Sequence, residues 1–271
     1  MNAPIGVFDS GIGGLSVLQA LQAALPLEHF VYLDDSRYAP YGERDDAHVI
    51  ARSRAITTYL GQTHSIKALV IACNTATMAA VALLRAEHPH MPIVGVEPGM
   101  KPAAAASLTK RVGVIGTRGT VTSAKFNALR LSLKDQATFV VQPCDGLADA
   151  ISRSASTRDD SKIIALCALY ISAMGRFGSK PGEIDTLVLG CTHYVFAQTH
   201  LAQLVGPQVR ILSTGEPVAR RTQHLMEISG TLATAGPGRV QLLTTGEPAV
   251  LQAAARRWLG FTTDDAVRCN A

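Results

Sequence analysis

Several short, unbroken apolar runs alternate along this chain with longer amphipathic stretches, and that alternation leaves few folds open. The runs are Ile5–Phe8, Phe30–Leu33, Ala68–Ala72, Ile93–Val96, Arg111–Ile115, Thr138–Gln142, Leu187–Leu189 and Val209–Leu212. Runs of Val, Ile and Leu with no polar alternation suit strands covered on both faces, as in a parallel sheet. Between them, Ala- and Leu-rich stretches such as Leu15–Leu25, His48–Leu60 and Ser161–Met174 carry helical periodicity. The pattern predicts an α/β, doubly wound architecture with mainly parallel sheets.

An internal repeat refines this. Gly6-Val7-Phe8-Asp9-Ser10-Gly11 resembles Gly113-Val114-Ile115-Gly116-Thr117-Arg118, and Ala68–Thr75 resembles Asp185–Thr192. In each half an early strand leads into a loop, and a later strand closes on a cysteine. The chain therefore reads as two similar α/β domains. The first takes residues 1–97 and, after a return of the chain, 213–271; the second takes 98–212. Ligands of open parallel sheets bind beyond the carboxyl ends of the strands. If the halves face each other, one pocket lies between them with a thiol on either wall.

Composition narrows the function classes. The chain has 271 residues, 47% hydrophobic and 17% charged, and a net charge of +4. A chain this long buries enough surface to fold without a disulfide or metal. Aromatic residues make up 5%, too few for a platform that stacks nucleic-acid bases. No nucleic-acid partner is expected. The start of the chain reads as a strand with no basic, signal-like segment before it, and the longest apolar stretch, Ile163–Met174, is too short to span a bilayer. A cytoplasmic protein with no membrane partner is expected. The five cysteines include no Cys-x-x-Cys pair, so free thiols are expected rather than a disulfide framework or a metal site.

Cys73, in Ala-Cys-Asn-Thr, and Cys191, in Gly-Cys-Thr-His, each follow an apolar strand. Asn74 and Thr75 can cap the helix that follows, whose positive end favours a thiolate. His193 could exchange protons with Cys191 or bond a substrate. Either cysteine alone could be a buried structural thiol; two at equivalent places point to chemistry. Cys167 reads as core and Cys144 as structural, while Cys269 lies in the tail. The Gly-rich turn Gly11–Gly14 presents backbone amides to an anion but matches neither a dinucleotide nor a phosphate-loop spacing. Asp9 could receive an ammonium, assist a thiol, or cap the next helix. Tyr41 and Gly42, in the loop Asp34–Gly42, offer a phenol and an amide to a carboxylate.

These motifs resemble glutamate racemase over nearly the whole chain: Phe8–Gly14, Tyr38–Gly42, Cys73–Ala76, Val114–Val121 and Gly190–His193. The resemblance implies a cofactor-independent isomerase with two opposed domains and glutamate held between them, supplying D-glutamate for peptidoglycan. It implies Cys73 and Cys191 as the catalytic thiols, the first serving D-glutamate and the second L-glutamate, with Asp9 and His193 assisting. It implies substrate contacts at Asp9, Ser10, Tyr41, Gly42, Asn74, Thr75, Thr192 and His193, and pocket hydroxyls at Thr117, Thr120 and Thr122. A homodimer is among the assemblies it allows. Two stretches depart from the family. Cys144-Asp145-Gly146-Leu147 runs to Ser152 where many members end an apolar run in glutamate, and Val195-Phe196-Ala197 stands where Pro-Leu-Leu is common.

Racemisation removes the α-proton from one face and returns a proton to the other, so one group on each side is required. No lysine motif for a pyridoxal Schiff base stands out, which leaves hydroxyls and amides to stabilise the carbanion. Three rivals remain at this level: a related enzyme acting on aspartate, hydantoins or maleate; a two-lobed amino-acid-binding protein; and a thiol hydrolase, which would need only one of the cysteines.

Overall fold

The computed structural model describes residues 3–261 and 266–271. Its strands are β1 (Ile5–Asp9), β2 (Phe30–Asp34), β3 (Ala68–Ile71), β4 (Ile93–Gly95), β5 (Arg111–Gly116), β6 (Thr138–Pro143), β7 (Thr186–Gly190), β8 (Arg210–Leu212), β9 (Val240–Thr244) and β10 (Ala266–Arg268). The helices are α1 (Leu15–Ala24), α2 (Asp46–His64), α3 (Asn74–Glu87), α4 (Met100–Ala106), α5 (Arg118–Val121), α6 (Ala124–Ser132), α7 (Leu147–Thr157), α8 (Ser161–Ala173), α9 (Gln198–Val205), α10 (Gly215–Ile228) and α11 (Pro248–Leu259).

The strands form two sheets, in the orders β10-β9-β2-β1-β3-β4 and β6-β5-β7-β8. Every ladder between them is parallel. Each of the eight apolar runs is a strand. β1, β3 and β7 are buried along their whole length, as unbroken Val/Ile/Leu runs require when helices cover both faces. The run β2-β1-β3-β4 repeats as β6-β5-β7-β8, so the sequence repeat has a topological counterpart. In both sheets the strand that ends in the Asp9 or Gly116 loop lies beside the strand that ends in a cysteine.

Two strands, β9 and β10, extend the first sheet beyond β2 and were not among the predicted runs. Val240-Gln241-Leu242-Leu243-Thr244 is a short apolar run like the others. The chain reaches it through α10, which buries Val218, Ala219 and Met226 in one core with Leu15, Leu18 and Leu21 of α1. Among the described residues no helix is long and apolar enough to cross a membrane.

The two sheets are tied at α11, which lies against α7. Arg257 donates to both carboxylate oxygens of Asp160 at 2.9 Å, and also to the Ser154 carbonyl. Beside it Trp258 stacks on Phe196, with ring centroids 4.2 Å apart and planes 11° apart. Phe196 belongs to the short 3-10 helix Thr192–Ala197 that follows Cys191, so this stack reaches the loop carrying the second thiol. A double-mutant cycle of Phe196→Ala and Trp258→Ala, read from urea unfolding, should give a coupling of about 0.5–1.5 kcal/mol. Additive effects would mean that the stack is an incidental contact.

Candidate active site

The carboxyl ends of the two sheets face one cavity of about 210 Å³. Asp9, Ser10, Tyr41, Gly42, Cys73, Asn74 and Thr75 line it from the first sheet's side; Thr117, Cys191, Thr192 and His193 line it from the second's. Parallel sheets put every strand-end loop at the same edge, so two such edges set face to face gather residues distant in sequence.

Asp9 ends β1 with no exposed surface. Its carboxylate accepts from the Ser10 amide at 2.6 Å, the Ser10 hydroxyl at 3.2 Å and, from the opposite side of the cavity, the Thr192 hydroxyl at 2.9 Å. The Cys73 thiol is also within hydrogen-bonding reach. Burial raises its pKa to about 7 despite these donors, because desolvation penalises the charged form more than they favour it.

Cys73 is itself the N-cap of α3: its sulfur accepts from the Ala76 amide at 3.5 Å, and its thiol donates to Ser10 Oγ at 3.6 Å. The expected caps, Asn74 and Thr75, instead begin the helix. Burial holds the Cys73 pKa well above the usual thiol value, with the Asp9 charge adding to it. Cys191 is pushed up to about 12, again chiefly by burial and then by Asp9. The helix N-terminus favours a thiolate, but desolvation outweighs it, and both thiols are protonated near neutral pH.

His193 is buried, with Nδ1 3.8 Å from Cys191 Sγ. Burial lowers its pKa to about 4, so near neutral pH it is an uncharged imidazole, able to take or give a proton. Its ring lies against the Gly-rich turn. A Cβ on Gly13 would stand 2.2 Å from His193 Nδ1 and 2.6 Å from Thr192 Oγ1, and one on Gly11 would stand 3.1 Å from His193 Nε2. Room for the opposing loop accounts directly for Gly13, and the fit at Gly11 is close, where the sequence suggests anion-binding amides.

Other side chains refine their expected parts. The Tyr41 hydroxyl is donated to Asp35 Oδ2 at 2.5 Å, and Asp35 is also gripped by Arg52 through two bonds of 2.9 Å. The phenol is therefore committed, and Tyr41 contributes a wall rather than a donor. Gly42 presses on Thr117, since an added Cβ would fall 2.7 Å from the Thr117 Cβ. Asn74 Nδ2 donates to the Val96 carbonyl at 3.2 Å, while its Oδ1 is buried without a partner. That leaves an open acceptor on a residue that lines the cavity. Thr75 Oγ1 lies 3.0 Å from Thr117 Oγ1 and 3.3 Å from Thr120 Oγ1, joining hydroxyls from the two halves.

Thr120 is fully buried and supports Thr75 and Thr117 without lining the cavity. Thr122 departs from its expected place. It faces solvent and donates to the Arg118 carbonyl at 2.8 Å, because the α5 turn carries its side chain away from the pocket.

The structure adds Ser36, Glu43, Arg118 and Asp149, which the sequence does not single out, to the cavity lining; Cys144, read as structural, and Asp145 and Ser152, from the stretch that departs from the family, line it as well. Arg118 and Asp145 form an exposed ion pair, and Arg118 is the one Lys or Arg lining the cavity among the described residues. Cys144 directly follows β6, so the strand-end argument applied to Cys73 and Cys191 would have found it. Among the described residues, no cluster of three or more His, Cys, Asp or Glu side chains could hold a metal ion.

Comparison with known proteins converges on one family. The sequence profile of the family described as Asp/Glu/Hydantoin racemase matches residues 5–222. A glutamate racemase of Pseudomonas entomophila is 44% identical over 238 residues, 88% of this chain and 86% of that protein. The crystal structure of glutamate racemase isoform RacE1 from Bacillus anthracis superposes with a TM-score of 0.87 at 30% identity, covering 99% of this chain and 97% of the other. Escherichia coli glutamate racemase, solved with L-glutamate and the activator UDP-MurNAc-Ala, superposes with a TM-score of 0.84 at 27% identity over 98% and 97% of the two chains. The chain belongs to the Asp/Glu/Hydantoin racemase family and is an amino-acid racemase.

Proposed function

We propose that this racemase interconverts L- and D-glutamate without a cofactor, using Cys73 and Cys191 as its two proton-transfer groups, and that it supplies D-glutamate for peptidoglycan in the cytoplasm. The observation that carries the reading is the pairing of thiols. Each cysteine follows the strand beside its sheet's central loop-bearing strand, and both line one cavity with Asp9 held between them. The substrate assignment rests on the relatives, which are glutamate racemases. We take residues 1–97 with 213–271 as one domain and 98–212 as the other, so that each supplies one thiol.

On this reading the substrate ammonium meets Asp9, Ser10 and the open Asn74 oxygen, which satisfies both a buried carboxylate and an unpartnered acceptor. The substrate carboxylates meet the Gly42 amide, the hydroxyls of Thr75 and Thr117, and the Thr192–His193 segment. The arriving positive charge lowers the pKa of a neighbouring thiol, and Asp9 takes the Cys73 proton. The Cys73 thiolate then removes the α-proton from one face, and the Cys191 thiol gives its proton to the other. One turnover leaves Cys73 protonated and Cys191 as thiolate, set for the reverse direction. His193 exchanges the Cys191 proton with solvent. Amides and hydroxyls around the substrate carboxylate stabilise the developing negative charge.

Replacing either thiol tests the reading. Cys73→Ala and Cys191→Ala should each lower racemisation, followed by circular dichroism of L- or D-glutamate, by about 10²–10⁴-fold or more. A variant that retains the wild-type rate would remove that cysteine from the chemistry. Aspartate offered in the same assay should be turned over far more slowly than glutamate.

The acidity of Asp9 gives a second test. Its carboxyl is raised to about 7, so it carries a proton below that pH and cannot accept one from Cys73. kcat/KM for glutamate should therefore fall as pH drops through about 7. His193, lowered to about 4, stays neutral over the same range and should not contribute to that limb. Asp9→Asn should abolish the limb together with most of the activity. A flat profile down to pH 5 would contradict the role given to Asp9.

A further inference from the structure

Thr192 sits between the two thiols in a way that substrate contact alone does not account for. Its hydroxyl donates to Asp9 Oδ2 at 2.9 Å, its carbonyl accepts from the Ser16 hydroxyl at 3.2 Å, and Gly13 leaves its Oγ1 room. Asp9, Gly13 and Ser16 all belong to the β1–α1 segment of the first half, whereas Thr192 directly follows Cys191 in the second. The first half thus holds the residue after the second thiol by both its side chain and its backbone. The single Ser16 hydrogen is shared and lies nearer the Gly13 carbonyl at 2.8 Å, so the side-chain bond to Asp9 is the stronger of the two holds on Thr192.

The Asp9 carboxylate is the other end of this link. Oδ1 takes both bonds from Ser10, while Oδ2 receives its hydrogen bond from Thr192. Removal of that hydroxyl would leave a buried carboxylate oxygen short of a donor, which is costly where water is excluded. A hydrogen-bonded path results, running from Cys73 through Ser10 and Asp9 to Thr192, which is covalently next to Cys191.

We propose that Thr192 is a positioning residue: its hydroxyl, reaching Asp9 from the opposite half of the molecule, keeps the carboxylate turned for Cys73 and makes the readiness of the first thiol depend on the seating of the loop that carries the second. This rests on the two-thiol reading for its consequence in turnover, but not for the hydrogen bond itself. A cavity pried open at this seam would strip Asp9 of a donor from the second half. Proton transfer is then set up only when both halves are in place, which suits a reaction needing one group on each face of the same carbon.

The effect on acidity follows with a definite sign. A donor to the charged carboxylate favours ionisation, and the Thr192 bond acts on Asp9 in that direction. The groups around Asp9 are Ser10 on its own loop, Tyr32 and Asp34 on β2, Cys73 at the end of β3, and Cys191 with His193 across the cavity. Asp34, itself raised to about 6 by burial, titrates near Asp9, so the Asp9 signal must be resolved from it.

The experiment compares wild type, Thr192→Val and Thr192→Ser. Valine keeps the shape and removes the hydroxyl; serine keeps the hydroxyl. The Asp9 carboxyl is titrated by carbon NMR in protein labelled at aspartate carboxyls, with its resonance assigned by loss in Asp9→Asn. This readout needs no turnover. The Asp9 midpoint should move to higher pH in Thr192→Val and return to the wild-type value in Thr192→Ser. In parallel, kcat/KM should fall about tenfold to a hundredfold in Thr192→Val, with its acid limb displaced to higher pH, and serine should restore both. Ser16→Ala, a milder loosening of the same grip, should move the midpoint in the same direction and keeps the test open should the valine variant not fold. An unmoved midpoint in folded Thr192→Val, or a raised KM with an unchanged pH profile, would overturn the proposal and leave Thr192 as a substrate contact only. A wild-type protein that turned over no amino acid would count against the functional reading and not against this coupling.

Discussion

A carboxylate with no exposed surface must receive its hydrogen bonds from the protein, and Asp9 receives its own from both halves of the chain. Ser10 supplies two and Thr192, across the cavity, supplies another. The arrangement requires the carboxyl ends of two parallel sheets to meet face to face. It also requires a glycine at position 13, where any side chain would strike His193 or Thr192, and leaves little room at position 11. Fold, loop composition and cavity are in this sense one constraint: two strand-end loops have to interlock around a buried charge without filling the space between them.

Burial governs the chemistry as well. Desolvation raises Asp9 into the neutral range, lifts the Cys73 and Cys191 thiols and keeps His193 uncharged. The amide that Cys73 accepts from α3 favours a thiolate but does not outweigh the loss of water around the sulfur. Thiols raised in this way hold their protons near neutral pH. On the proposed chemistry, the substrate ammonium is what shifts the balance, by bringing positive charge beside Asp9 and the first thiol. Binding and activation would then be one event, which limits wasteful proton exchange at a thiol in the absence of substrate.

Much of this was legible in the sequence, for identifiable reasons. Unbroken apolar runs marked β1 to β8 because strands covered on both faces leave no polar alternation to confuse them. The repeat of strand-loop and strand-Cys units marked two similar sheets. What the sequence concealed were contacts between residues far apart along the chain. The Tyr41 phenol reads as a ligand donor until Asp35 is found to hold it. Gly11 to Gly14 read as an anion-binding turn until the His193 ring is found against it. Thr122 was grouped with Thr117 and Thr120 by motif, yet one turn of helix separates a hydroxyl beside the cavity from one in solvent. β9 carries an apolar run of the usual kind, but nothing in the run itself says which sheet the returning chain joins.

The central claim is that two thiols act from opposite faces of the same carbon. Isotope incorporation at the α-carbon tests it most directly. With L-glutamate in deuterium oxide, initial product isolated as D-glutamate should carry one α-deuterium while the remaining L-glutamate keeps its protium, because the proton removed and the proton delivered belong to different sulfurs. Deuterium appearing in recovered L-glutamate as fast as in the product, or protium carried through into D-glutamate, would mean that a single group serves both faces and would contradict the account.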